Sequence, residues 1–290
     1  MSIKMDKTTN YMYNVPMKYK LIGLDLDGTL LRSDKSLDKS TVGLLEELSK
    51  KGIHIVPITG RPLSGVPQAV REIDGVDYII SNNGSKTVNN KTGIDVFSLA
   101  MTNEQSREVI TQVKKTGAMF EVFTNHFGYC EKSVFEHYKD EFAGTVVGDY
   151  IFSSRKRIDS IDALFDNTGN EADEVFIICR DEADRELIKK HTDKISDIQY
   201  CMLANRFLEI TKAGTDKGTA LQMLCKHLGI GLNEVIAFGD GENDLQFLQK
   251  AGTAVAMGNA VDCVKEMADI ITDTNDNNGV EKALKDLIGD

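Results

Sequence analysis

The sequence is short of the features that mark several protein classes. Its five cysteines (Cys130, Cys179, Cys201, Cys225 and Cys263) lie far apart and form no C-x-x-C pair. An odd, scattered set suits neither a zinc site nor a disulfide framework. A reducing, cytoplasmic setting is the simplest expectation. No stretch approaches the roughly 18 apolar residues of a membrane helix, so no membrane partner is expected. The opening MSIKMDKTTNYMYNVPMKYK has no apolar centre for a secretory signal, and positions 1–17 are expected to form a loose tail. Positive charge is in deficit: 34 Lys and Arg against 45 Asp and Glu leave a net charge of −11. Such a chain has no general field for nucleic acid, which needs clustered Lys and Arg. A small phosphorylated ligand stays open, because it needs only local positive charge or a metal.

What is present suits a soluble folded protein. Apolar residues make up 41% of the 290 and charged residues 27%, enough of both to rule out a wholly disordered chain, a collagen or a disulfide-stapled miniprotein. The length suggests about two domains. An apolar run over 19–26, YKLIGLDL, predicts a first strand. A helix follows over 38–51, with Leu44, Leu45 and Leu48 at helical spacing and Gly52 ending it. Strands follow over 53–59 and 78–81. Pro57 is awkward in the first of these, because proline removes a ladder donor. The alternation returns near the C-terminus, with strands at 235–239, 253–257 and 270–271 among helices. Strand and helix in alternation predict an α/β fold with a doubly wound parallel sheet.

The middle of the chain differs. Strands over 119–124, 174–178 and 207–210 with amphipathic helices over 103–115 and 181–191 suggest an inserted α+β domain. The expected division is a tail at 1–17, a core at 18–84 and 206–290, and an insertion at 85–205. No internal repeat or low-complexity tract is found.

Two acidic groups end two of the core strands. Asp25-Leu26-Asp27-Gly28-Thr29-Leu30 closes the first, and Gly239-Asp240-Gly241-Glu242-Asn243-Asp244 closes the strand at 235–239. Ligands of open α/β sheets sit beyond the carboxyl ends of the strands. Asp25 and Asp27, two apart on extended backbone, point to the same side, and Gly28 lets the chain turn away. Two carboxylates about 4 Å apart repel by roughly 4 kcal/mol at an effective dielectric near 20. Several in one cleft therefore call for a cation, and an all-oxygen set suits Mg²⁺. Each group alone is also an ordinary turn of Asp and Gly; both at strand ends in one order make coincidence improbable.

Two further groups complete the pattern. Ile58-Thr59-Gly60-Arg61 ends the second strand, where a hydroxyl and backbone N–H groups can hold phosphate oxygens; a plain Thr-Gly turn is the alternative. Lys217 opens a helix, where the positive dipole end disfavours a cation. Either it neutralises a nearby carboxylate or phosphate, or it is a solvated surface lysine.

In this order the four groups resemble those of the haloacid dehalogenase superfamily of aspartate-dependent phosphatases. SNNGS at 81–85, EITKAGTDKGTAL at 209–221, AVAMGNA at 254–260 and NDNNGV at 275–280 extend the likeness to its Cof-type subfamily with a large cap. The chain departs in small ways: a leucine leads LDLDGTL, and Gln246 and Phe247 stand where methionine is more usual. The resemblance implies hydrolysis of a small phosphorylated metabolite, such as a sugar phosphate, in two steps. Asp25 would be the nucleophile and Asp27 the acid and base. Thr59 would orient the transferring group, and Lys217 would neutralise charge. Leu26, Gly60, Asn83 and Asn243 would bind phosphate or substrate, Asn243 alternatively holding Lys217. Mg²⁺ would be bound by Asp25, Asp240 and the Asp27 carbonyl, with Asp244 in support. Arg61 would at most brace the loop through a salt bridge. Asn82, Asn83 and Gly84 would mark the passage into the cap, or simply a hinge turn.

Other residues are assigned no chemistry. His54 reads as a packed histidine, and His126, His137, His191 and His227 have no ligand spacing. Arg155-Lys156-Arg157 reads as a solvated face, and Phe120, Phe123, Phe127 and Tyr129 as cap core. Rival functions are a phosphomutase on the same scaffold and a non-catalytic metabolite-binding protein.

Overall fold

The computed structural model describes residues 18–166, 169–203 and 206–289; the tail expected over 1–17 lies outside them. The strands are β1 (Leu21–Leu24), β2 (His54–Pro57), β3 (Tyr78–Ser81), β4 (Lys86–Asn89), β5 (Asp95–Ser98), β6 (Met119–Thr124), β7 (Phe127–Glu131), β8 (Arg155–Ile158), β9 (Glu174–Ile178), β10 (Ile198–Leu203), β11 (Phe207–Lys212), β12 (Val235–Gly239), β13 (Thr253–Ala256) and β14 (Ile270–Ile271). The helices are α1 (Lys39–Lys50), α2 (Gln68–Arg71), α3 (Asn103–Thr116), α4 (Lys132–Phe142), α5 (Val146–Ser154), α6 (Asp162–Phe165), α7 (Glu182–Thr192), α8 (Lys217–Leu228), α9 (Leu245–Lys250), α10 (Asp262–Met267) and α11 (Gly279–Ile288). Among the described residues no helix is long and apolar enough to cross a membrane.

The core sheet runs β14-β13-β12-β1-β2, all parallel. β1 is wholly buried, as a central strand covered on both faces must be, and its continuous apolar run follows from that. Leu24 pairs with Phe238 of β12 and with Pro57 of β2. Three strands therefore end at one rim, each handing over to one of the polar groups noted above.

The strand at 78–81 forms but does not extend the parallel ladder. β3 touches β2 through a single bridge, Ile58 to Ile80, and pairs antiparallel with β4, which pairs with β5. Pro57 explains this. The Ile58 N–H points to β1, donating to Leu24 O, so the neighbouring Pro57 position faces β3, where it has no N–H to give. Bonding resumes only at Thr59, whose N–H donates to Ile80 O at 2.9 Å. Between β2 and β3 there is only a short 3₁₀ turn, Leu63–Gly65, and the four-residue α2, not the full helix the alternation suggested.

The second body is a sheet of order β10-β11-β9-β6-β7-β8, antiparallel except between β7 and β8. Alternation gives it two faces. Val122, Val175, Ile177, Leu208 and Ile210 pack under Val109, Ile110 and Val113 of α3 and Ile188 of α7. Glu121, Phe123, Glu174, Phe176, Phe207 and Glu209 face the other way, toward the core, and line a cleft.

Both expected crossing points shift. The chain does not leave the core at 84: β4 and β5 still belong to it through β3, and Val88 lies in the core cluster. Nor does it return at 206, since β11 lies inside the six-stranded sheet. The two crossings run side by side, and Thr215 Oγ1 donates to Leu99 O at 3.0 Å.

Gly84 fixes how the first crossing meets the core. It stands at φ +102°, and a Cβ there would lie 2.3 Å from the Asp216 carbonyl at the start of α8. Gly84→Ala should cost about 1–3 kcal/mol of stability through strain and this backbone clash. Urea denaturation checks it; an unchanged midpoint would contradict it.

Candidate active site

Each acidic side chain is aimed by a local backbone constraint. Asp25 follows β1 directly, and its N–H still donates to Phe238 O at 3.0 Å, so the residue is held by sheet bonding. Gly28 turns the chain at φ +85°; a Cβ there would lie 2.3 Å from the Asp240 carboxylate, which only glycine permits. Thr29 Oγ1 donates to Asp240 Oδ1 at 2.9 Å, and Asn259 donates to Gly28 O at 2.8 Å. Asp244 Oδ2 accepts the N–H groups of Asp240 and Gly241, each at 2.9 Å, and so closes its own loop.

Lys217 joins these pieces. It is the first residue of α8, behind the Asp216 cap, and is 1% exposed. Its Nζ donates to Asp25 Oδ1 and to Asp244 Oδ1, both at 2.6 Å. The surface-lysine alternative is thereby excluded. One oxygen from each of Asp25, Asp240 and Asp244 lies within 4.8 Å of the others. Burial, then Asp244, pushes Asp25 well above the ordinary carboxylate range. The same two causes raise Asp240 to about 6. Burial disfavours the Lys217 ammonium, but Asp244 and Asp25 outweigh it and hold the lysine charged. One cation against three carboxylates leaves negative charge uncompensated, and the converging donors are all oxygen, which suits a hard divalent ion.

Asp27 lines the same cleft as Asp25, but its carboxylate stands apart from the cluster. Arg61 grips it with two bonds of 2.6 Å, and Lys35 adds a third at 2.6 Å. Burial would raise Asp27, but Arg61 and then Lys35 bring it down to about 2. The Arg61 salt bridge expected from the sequence thus falls on Asp27 itself. Arg61 also donates to Gly65 O at 2.8 Å and stacks 4.3 Å from the ring of Tyr150 in α5, so it joins both bodies.

Thr59 is buried and its Oγ1 accepts from the Arg61 N–H. Gly60 abuts Asn83, whose Oδ1 would be 2.9 Å from an added Cβ. Asn243 donates to that Oδ1 at 3.0 Å; it does not hold Lys217, whose partners are Asp25 and Asp244. The Leu26 side chain is fully buried, so only its backbone can serve a ligand. The cleft that gathers Asp25, Asp27, Thr59, Gly60, Asn83, Asp240 and Asn243 measures about 550 Å³. A wider depression of about 1060 Å³ on the outer side of Arg61 holds none of the acidic cluster.

Sequence reasoning missed the cleft's upper side. Arg155 is not solvated: its side chain is 8% exposed, paired with Glu121 by two bonds of 3.0 Å, and stacked on Phe123 and Tyr150 at 4.8 Å each. Tyr138, Glu174, Phe176, Phe207 and Glu209 also line the cleft. The available signal was a pair of alternate residues on each of three strands (121 and 123, 174 and 176, 207 and 209), mixing charge with aromatics on one face.

A family model described as haloacid dehalogenase-like hydrolase matches residues 22–284. The Bacillus subtilis (strain 168) 5-amino-6-(5-phospho-D-ribitylamino)uracil phosphatase YitU is 29% identical over 276 residues, covering 92% of this chain and 96% of that protein. Phosphatase YwpJ of the same organism is 28% identical over 287 residues, covering 93% of this chain and 100% of that protein. Among solved structures, a haloacid dehalogenase-like hydrolase from Bacteroides thetaiotaomicron superposes with a TM-score of 0.76 at 30% identity, over 92% of this chain and 99% of that one. One from B. subtilis gives 0.78 at 28% identity, over 92% and 99%. With the four motif groups gathered at one rim and the match running nearly end to end, the chain belongs to the haloacid dehalogenase-like hydrolases and is a phosphoric monoester hydrolase of that family.

Proposed function

We propose that the protein hydrolyses a small phosphorylated metabolite, a sugar phosphate or similar, through an aspartyl-phosphate intermediate and with Mg²⁺. The observation that carries this is the Lys217 ammonium, buried between Asp25 and Asp244 at 2.6 Å from each with Asp240 beside them. That arrangement fixes a buried cation against the Asp25 carboxyl group, where a dianionic phosphate would be received. The Bacillus relative YitU, named for a phosphoribitylamino-uracil, supports a small phosphorylated metabolite as substrate.

Asp25 attacks phosphorus, the bond from phosphorus to the leaving oxygen breaks, and Asp27 gives that oxygen a proton. Asp27, now a carboxylate, takes a proton from water as its oxygen attacks the acyl-phosphate, freeing Asp25 and inorganic phosphate. Lys217 holds Asp25 in place and offsets its charge. Thr59, Gly60, the Leu26 backbone, Asn83 and Asn243 surround the phosphoryl oxygens. Asp25, Asp240 and the Asp27 carbonyl, supported by Asp244, are the residues that hold Mg²⁺, which when bound neutralises phosphoryl charge. The acid step requires Asp27 to accept a proton first, so Arg61 must loosen its grip. Arg61 is stacked on Tyr150 of the six-stranded body, which acts as the cap, and cap movement is thereby tied to Asp27.

Asp25→Asn should lower phosphate release by roughly three orders of magnitude or more with the fold intact; normal turnover would remove Asp25 as nucleophile. Lys217→Ala should slow it by about 10²–10³, and a rate near wild type would mean its role is misassigned. Removing divalent ions with EDTA should abolish turnover and Mg²⁺ should restore it; activity indifferent to EDTA would refute the metal assignment.

The Asp27–Arg61 pair makes a further prediction. Asp27 titrates near 2 when folded, below an ordinary carboxyl, so the pair adds stability above the ordinary range and loses it as pH falls toward about 2. The stability gap between wild type and Arg61→Gln should therefore shrink between about pH 7 and about pH 3. Urea titrations at both values measure it; a gap independent of pH would count against the pairing.

A further inference from the structure

Among the described residues each cation bordering the cleft has a carboxylate of its own. Arg61 holds Asp27, Arg155 holds Glu121, Arg206 holds Glu141, and Lys217 lies between Asp25 and Asp244. Two carboxylates on the cleft face of the six-stranded sheet are left over. Glu209 accepts only a long contact of 3.4 Å from Asn83 Nδ2. Glu174 has no hydrogen bond or ion pair among the described residues, is 3% exposed, and lines the cleft. A buried carboxylate without donors is costly, and a leucine or glutamine on this strand would avoid the cost. Burial and then the neighbouring Glu209 push Glu174 well above the ordinary carboxylate range, as two like groups do when they compete for one proton.

The pair is also placed to meet a substrate. Glu209 abuts Asn83, and Asn83 abuts Gly60 and Asn243 on the phosphate side of the cleft. The first carbons of a leaving alcohol would pass there. Beyond the pair, Phe176 and Phe207 stack with centroids 5.1 Å apart, so the next wall is apolar.

We infer that Glu174, with Glu209 beside it, selects the leaving group: it takes an alcohol half that presents hydrogen-bond donors without negative charge, and turns away one that carries a carboxylate or a second phosphate. This rests on the phosphatase reading above. Hydroxyl and ammonium donors are the two sources of the chemistry, and both satisfy carboxylate oxygens. Even with one proton between them the two groups keep a negative charge, and among the described residues each cation at the cleft is already paired, so a second anion is repelled.

Three short esters separate the cases: glycerol 3-phosphate with a hydroxyl head, O-phosphoethanolamine with an ammonium head, and 3-phosphoglycerate with a carboxylate head. Hydrolysis of p-nitrophenyl phosphate with Mg²⁺ is run alongside; its absence would fell the phosphatase reading and this inference with it. With that activity present, kcat/KM is measured for each ester. Where turnover is slow, inhibition of p-nitrophenyl phosphate hydrolysis replaces it. Wild type should favour at least one of the two uncharged or cationic heads over 3-phosphoglycerate by about tenfold or more, the preferred one naming the donor. Glu174→Gln combined with Glu209→Gln, which keeps shape and removes the charge the pair shares, should narrow that ratio to about threefold or less, chiefly by admitting 3-phosphoglycerate. A wild type that treats the three alike, excludes all three or prefers 3-phosphoglycerate would overturn the assignment, as would a ratio unchanged in the double variant.

Discussion

One buried ammonium organises this protein. Lys217 stands on the first turn of α8, where the helix dipole opposes it, and it is almost wholly removed from water. It stays charged because Asp25 and Asp244 hold it from two directions. Those carboxylates come from loops after β1 and β12, which are hydrogen-bonded neighbours. The ion triad therefore depends on the central pairing of the sheet, and the sheet rim depends on the triad to offset its gathered charge. Breaking such a buried set by removing one partner leaves an uncompensated charge, at a cost of about 3–5 kcal/mol.

The cleft divides its tasks between its two walls. The core wall carries what any phosphoryl group requires: a carboxylate, a fixed cation, an acidic set suited to a divalent ion, and short turns at strand ends. The cap wall carries side chains of mixed character on one face of an antiparallel sheet, its other face spent on the hydrophobic contact with α3 and α7. Arg61 connects the walls, binding Asp27 below and the Tyr150 ring above. With the phosphoryl chemistry on one wall and the leaving group's contacts on the other, either can change without the other, a physical reason why one scaffold can serve many substrates.

The core wall was legible in the sequence because it is local. Asp25 and Asp240 each follow an apolar run, and parallel pairing places both run ends at one rim. The misfit of a lysine at a helix start flagged Lys217, and its burial answers the question. The cap wall was not legible, because its faces arise from pairing between distant segments: Glu121 of β6 and Glu209 of β11 both lie beside Phe176 of β9. Arg155 shows the difficulty. In a run of three basic residues it reads as solvated, and only β6, two strands over across β7, supplies the Glu121 that pairs with it. The crossing points failed for a related reason, since alternation identifies a strand without saying which sheet it joins, as β4, β5 and β11 illustrate. Pro57 marked a real irregularity, whose consequence is the lone bridge between β2 and β3.

The central claim is that the carboxylate held by Lys217 becomes covalently bound to phosphorus. Rapid acid quenching during turnover, followed by borohydride reduction of any acyl-phosphate and mass spectrometry of the peptides, tests it most directly. Conversion of Asp25 to homoserine, dependent on substrate, is the predicted result. Turnover with the modification on another carboxylate, or with none at any quench time, would contradict the account.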